Sequence, residues 1–225
     1  LLANSLVMAD KKIDNPKALK SMRIKLSGIS SGDIIQTDMQ KTRIDKSGNL
    51  ILTIKTRQAP PNAAKIPIKS KVFLPDLTAD PLIQSDDPQI VDFAKQIIGN
   101  ETNSWHAAKM INTWVYENIE KQFTLDFSNA LQTLHSKKGD CGEHSALAVA
   151  LLRAVGIPAH VVAGLIYWPP GNGFGYHAWV EAYVGHWRQL DPTWNEDSPN
   201  PTHIALARGN IVDQTMGVEK VMGKI

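Results

Sequence analysis

At 225 residues the chain has room for one large domain or two small ones, and its 43% hydrophobic content suits a buried core. Its 24 basic and 22 acidic residues leave a net charge of +2, with no Lys/Arg run and no basic face interleaved with aromatics, which argues against nucleic acid as a partner. No apolar run approaches the ~20 residues needed to span a bilayer, and a single cysteine excludes an intrachain disulfide while leaving the redox compartment open.

The chain begins Leu1-Leu2 rather than with methionine, which points to a processed or truncated chain. Location is otherwise unreadable, an exported or periplasmic setting being the favoured expectation. Residues 21–57 alternate with period two: Met22, Ile24 and Leu26 form one apolar set, and Leu50, Leu52 and Ile54 another. With a turn at Lys46-Ser47-Gly48-Asn49, this predicts a small antiparallel β-unit with one buried face. It carries no catalytic constellation and reads as a structural or targeting appendage. From Ala59 to Pro88 the chain carries six of its thirteen prolines, an extended connector. These readings divide the chain into a β-rich unit with its connector over residues 1–80 and a catalytic domain over 81–225.

A helix is predicted from Pro88, with Asp87 as N-cap, an apolar stripe of Ile90, Phe93, Ala94, Ile97 and Ile98, and Gly99 as its stop. A second runs from about Ser104 to Ile119 and a third from about Ser128 to His135. Trp105 and Trp114 read as core or staple residues. The fourth helix carries the only cysteine. Residues 146–152 are all apolar, so this helix lacks a polar face and belongs inside the protein. Asp140 is its N-cap, Gly156 and Pro158 end it, and Gly139 serves a tight approach to its start. Cys141 therefore sits in the first turn, where unpaired N–H groups and the positive end of the helix dipole suit a thiolate nucleophile. The competing reading, a small buried hydrophobe, would place the cysteine in the helix middle.

Beyond the helix, Ala159 to Tyr167 is a β-rich run. Trp168 to Gly175 is a loop dense in Gly and Pro, which makes Trp168 and Phe174 substrate-cleft candidates or plain turn residues. His177 lies in Tyr176–Val184 and Asp191 in Trp187–Thr193, two predicted strands joined near Gly185. A thiol nucleophile needs an imidazole, and the imidazole needs a third group to orient it. If the hairpin loop is Tyr183-Val184-Gly185, His177 falls opposite Asp191. If it is Gly185-His186, Asp191 faces Val180 and points away from His177. Trp179 shares the face of His177 and is read as a cleft residue walling the imidazole from solvent. Thr202 to Ala207 is a last strand, and 216–225 is unplaced.

The runs Gly-Asp-Cys-Gly-Glu-His-Ser-Ala-Leu (139–147), Leu-Leu-Arg-Ala-Val-Gly-Ile-Pro-Ala (151–159), Tyr-His-Ala-Trp-Val-Glu-Ala-Tyr (176–183) and Leu-Asp-Pro-Thr (190–193) resemble the transglutaminase-like superfamily over about residues 88 to 194. The resemblance implies an α+β fold with a papain/transglutaminase-like core, a central helix packed on an antiparallel sheet, here preceded by the small β-rich unit. It implies Cys141 as nucleophile, His177 as its histidine and Asp191 as its acid. A tryptophan upstream of the cysteine serves the oxyanion in transglutaminases, which makes Trp105 an oxyanion candidate. The family often has arginine after Ile-Pro-Ala, where this chain has His160. Nothing resembles the calcium-binding segments of the large animal enzymes, and no cofactor is implied.

Cys141 and His144 also have Cys-x-x-His spacing, with Glu143, His177 and Glu181 as further possible ligands, but no second close pair completes a zinc site. The expectation is no metal. His106, His135, His186 and His203 read as ordinary histidines. Three functions stay open: a transglutaminase-like acyltransferase or hydrolase acting through a thioester on a glutamine or other amide of a protein or peptide, a papain-like peptidase or amidase with the same triad, and an inert binding module of this fold. Oligomeric state is not legible.

Overall fold

Apolar alternation becomes strand, and capped apolar stripes become helix. A computed structural model of the chain describes residues 6–57, 60, 62–122 and 128–209; the tail 216–225 lies outside them. The elements in order are β1 (Val7–Met8), β2 (Ser21–Leu26), β3 (Gln40–Ile44), β4 (Leu50–Lys55), α1 (Pro88–Ile98), α2 (Ser104–Asn118), β5 (Glu120–Lys121), α3 (Ala130–Ser136), β6 (Lys138–Gly139), α4 (Cys141–Ala154), β7 (Ala159–Trp168), β8 (Gly173–Tyr183), β9 (Trp187–Leu190) and β10 (Ile204–Gly209). The fold is α+β: a helical cluster and an antiparallel sheet, with a small three-stranded sheet ahead of them.

Packing divides the chain into two units. The first unit comprises residues 1–57, 162–178 and 199–225, and the second 58–161 and 179–198. The proline-rich connector thus groups with the helices, and parts of β7 and β8 together with β10 group with the β-unit.

In the first unit, β2-β4-β3 form an antiparallel sheet in which Met22, Ile24 and Leu26 face Ile54, Leu52 and Leu50. The two apolar sets named from sequence are therefore cross-strand partners on one face. The turn between β3 and β4 is held by Asp45, whose Oδ1 accepts the N–H groups of Ser47 and Asn49, each at 2.9 Å. Met22, Leu52 and Ile54 share a core with Leu165, Tyr167, Phe174, Ile204 and Leu206. Gln40 ties β3 to β10: its amide donates to Ala205 O at 2.7 Å and accepts Ala205 N–H at 2.9 Å, so this buried polar side chain is paired at both ends.

In the second unit, α1, α2 and α3 all pack on α4. Each helix starts on a side-chain cap: Asp87 accepts from Gln89 N–H, Asn103 from Trp105 and His106 N–H, and Asn129 from Gln132 N–H. Every α4 residue from Glu143 to Arg153 except Ala146 is buried, as an all-apolar middle requires. A larger sheet runs β1-β8-β7-β10, with β9 paired to β8.

Candidate functional site

The start of α4 is built around a reciprocal cap. Asp140 Oδ1 accepts Gly142 N–H at 2.7 Å, and Glu143 Oε2 accepts Asp140 N–H at 2.8 Å. Glu143 Oε1 also accepts Ser128 N–H at 3.2 Å. Burial, then the neighbouring Asp140 carboxylate, pushes the Glu143 carboxyl above its ordinary pKa. A side chain at Gly139 would run into Glu143, so the chain can reach this cap only through glycine. Cys141 is the first helical residue and is partly exposed, while nearly everything that follows it is buried. As the first residue of the helix it has an N–H with no acceptor inside α4. The core-hydrophobe position in mid-helix is not the one it takes.

One turn on, His144 is fully buried. Its Nδ1 lies 2.7 Å from Asp140 O and its Nε2 3.2 Å from Ile119 O. Burial dominates and holds its pKa below the ordinary histidine value. With a carbonyl near each ring nitrogen and only one ring N–H in the neutral form, His144 donates to one of the two and so links the α4 cap or the end of α2 to its ring.

His177 and Asp191 are both buried, at 8% and 0% exposure. Asp191 Oδ1 accepts the N–H groups of Thr193 and Trp194 at 2.8 and 3.3 Å, and its backbone bridges Glu196, so a tight turn fixes the carboxylate. Neither anticipated hairpin register is the one found. β8 and β9 pair Tyr183 with Trp187 and Val180 with Leu190, leaving Val184-Gly185-His186 as the loop. Gly185, at φ 102°, occupies the middle of that loop rather than its end. Continued by one residue, this register sets Asp191 opposite Trp179, not opposite His177. The shift of two keeps parity: residues two apart on a strand share a face, so Trp179 and Asp191 fall on one side of the hairpin.

Of the remaining predicted site residues, Trp179 is fully buried on that face and Trp105 is buried in the first turn of α2. Trp168 is 46% exposed and opens a short 3₁₀ turn. Phe174 does not belong with them. It is 6% exposed in the core of the first unit, its ring centroid 5.4 Å from that of Tyr167, and has no surface for a substrate. The Gly-rich stretch around it is strand, with Met8 paired to Gly173, and a side chain at Gly173 would press on the β1 backbone and Leu6.

Two histidines outside the predicted set are also organised. His203, 2% exposed, places its ring centroid 5.9 Å from that of His177 and its Nδ1 3.0 Å from Asn200 O. His160 lies between two carboxylates, Nδ1 2.9 Å from Asp76 and Nε2 3.0 Å from Glu181, with its ring 4.7 Å from Trp187. Burial lowers its pKa, but the two carboxylates outweigh burial and raise it above the ordinary value. No sequence signal links these groups, since Asp76 and His160 are 84 residues apart. A surface groove of about 690 Å³ between α1 and α2, lined by Phe93, Ile97, Met110 and Trp114 among others, contains none of the predicted site residues. Among the described residues no helix is long and apolar enough to cross a membrane.

Residues 91–192 match the family described as the transglutaminase-like superfamily. An uncharacterized protein of Mycobacterium leprae is 33% identical over 88 residues, 36% of this chain and 31% of its own length. An uncharacterized protein of Haemophilus influenzae is 34% identical over 95 residues, 40% of this chain and 25% of its own length. The chain thus spans under a third of either relative. The crystal structure of a candidate cysteine protease from Cytophaga hutchinsonii shares the fold, with a TM-score of 0.63 at 20% identity over 85% of this chain and 77% of that one. Residues 91–192, the segment that holds Cys141, His177 and Asp191, are similar to the transglutaminase-like superfamily.

Proposed function

We propose that the protein is a cysteine-dependent acyl-transfer enzyme or amide hydrolase working through a thioester, with Cys141 as nucleophile, His177 as proton carrier and Asp191 as the acid that orients the imidazole. The observation that carries this reading is the partly exposed lone thiol at the first position of an otherwise buried, doubly capped helix. The burial of His177 and Asp191, at 8% and 0% exposure, supports the other two roles.

In this mechanism the Cys141 sulfur attacks the acyl carbon of a peptide or glutamine amide, and the Cys141 N–H, unused within the helix, donates to the oxygen that gains charge. Trp105 is the candidate for a second donor. The C–N bond breaks as His177 passes its proton to the departing nitrogen, leaving a thioester. Water or an amine then attacks the thioester, gives its proton back to His177 and frees the sulfur. Buried Asp191 stabilises the charged imidazole throughout. Whether water or an amine finishes the cycle depends on how dry the cleft is and whether it seats an acceptor.

Alkylation by iodoacetamide at mildly acidic pH tests the reading: rapid labelling of Cys141 is expected, and a rate equal to free cysteine would leave only an inert scaffold. A glutamine peptide with a labelled primary amine then separates transfer, seen as amine incorporation, from hydrolysis, seen as ammonia release or cleavage alone.

A further inference from the structure

Two segments that flank the candidate nucleophile meet at one exposed ammonium group. Upstream of Cys141, β5 and β6 run parallel with Lys121 beside Gly139, and Gln122 N–H donates to Gly139 O at 3.0 Å. The Lys121 backbone is therefore fixed next to the residue two positions before the thiol. Downstream, the Trp194 N–H is held by Asp191 Oδ1. The Lys121 Nζ lies 4.3 Å from the Tyr116 ring centroid and 5.4 Å from that of Trp194. Both rings are 38% exposed, among the few large aromatics the second unit leaves open to solvent. Ring faces attract an ammonium without cancelling its charge. Among the described residues no carboxylate lies within ion-pair distance of Lys121, and neighbouring Glu120 approaches Lys138 instead, at 3.9 Å. The fields of Lys121 and Asp191 both reach the His144 imidazole, one turn after Cys141, so this charge acts at the start of α4.

We propose that Lys121, steadied by Tyr116 and Trp194, is a specificity-determining residue that recognises an acidic side chain on the peptide substrate next to the acyl group attacked by Cys141. The proposal rests on the reading of Cys141 as nucleophile. An ammonium held on two aromatic faces suits such recognition. The rings offer flat apolar area to the peptide, and the ammonium, steadied on them, meets the carboxylate at low cost in side-chain freedom.

Because Cys141 is the only cysteine, alkylation reads one site. The test compares anionic iodoacetate with neutral iodoacetamide at pH 8.5 and low ionic strength, in the native chain, Lys121→Gln and Lys121→Glu. The iodoacetate-to-iodoacetamide rate ratio is expected to fall roughly threefold in Lys121→Gln and further in Lys121→Glu, and the three proteins should converge at about 1 M salt. Trp194→Ala, which frees the ammonium to move, should lower the ratio by less. Equal ratios in all three Lys121 proteins at low salt would overturn the proposal. At pH 8.5 even an ordinary thiol is alkylated, so the ratio reports on Lys121 whether or not Cys141 is activated. A sluggish thiol at acidic pH strikes the proposed function instead.

Discussion

Two polar clusters in the helical unit use ionisable groups in opposite ways. Around His160 every ring nitrogen meets a carboxylate, the imidazole lies tilted against Trp187, and nothing is left to bind. At the start of α4 the cap satisfies Asp140, Gly142 and Glu143, yet the thiol stays partly exposed and its own N–H lacks an acceptor in the helix. A neutral imidazole can donate from only one nitrogen, so two carboxylates at 2.9 and 3.0 Å require the imidazolium. Its bonds close on the protein itself. The contrast separates a charge kept for the fold from a group kept for chemistry, and each cluster can be broken alone.

The largest expected effect is at Cys141. Replacement by alanine should remove turnover, at least about 10³-fold, because the thioester cannot form. A side chain that is only partly buried should cost under about 1 kcal/mol of stability. Turnover with a labelled peptide and thermal unfolding check the two halves, and a variant that unfolds would make Cys141 a packing residue after all.

The opposite pattern is expected at His160. Alanine there leaves Asp76 and Glu181 facing one another without the cation between them, with Arg153 and Asp80 the other charges acting nearby. Loss of one partner from a buried charged network costs about 3–5 kcal/mol. Glutamine in its place adds a sign test. The folded-state pKa of His160 is raised, so its contribution is fully present below the unfolded value of about 6.5 and is lost as pH rises through the folded value. The stability gap between the native chain and His160→Gln, read from denaturant melts, should therefore be widest in acid and close as the solution turns alkaline. A gap that widens with pH would mean a neutral imidazole in the ladder.

How much of this was legible depends on the range of the forces involved. Caps and stripes are local, so Asp87, Pro88, Gly99 and Asp140 mark their helix ends in the sequence and mark them in the fold. The register of the β8–β9 hairpin is less local. Gly185 signals a turn but not whether it takes the middle or the end of a three-residue loop, and packing of Trp179 and Leu190, both buried, decides. Phe174 was misread because Gly173 and Gly175 look like loop residues when their real partner is β1, more than 160 residues earlier. The ladder through His160 depends on contacts of the same range, and composition carries no trace of it.

Asp140→Ala sharpens the comparison from the other side. It removes the oxygen that accepts Gly142 N–H, and loss of such a cap typically costs about 1 kcal/mol. The same change loosens the turn that presents Cys141, so iodoacetamide labelling at acidic pH should slow while the fold survives. Asparagine, which keeps the acceptor, should recover most of the stability. If both variants melt like the native chain, the cap is not what orders the start of α4.

The smallest effect is expected at Trp168, and it bears on the substrate-cleft readings. The ring is nearly half exposed at the end of β7, so alanine should change stability by no more than about 0.5 kcal/mol. Phe174→Ala, by contrast, empties a core site and should cost about 3–5 kcal/mol. Because Trp168→Ala leaves the fold intact, its kinetics can be read directly. A raised KM with unchanged kcat would mark the ring as a contact that binds substrate and transition state alike. Unchanged values for both would assign Trp168 to turn chemistry beside Pro169 and Pro170, and would turn the search for the cleft toward Tyr116, Lys121 and Trp194.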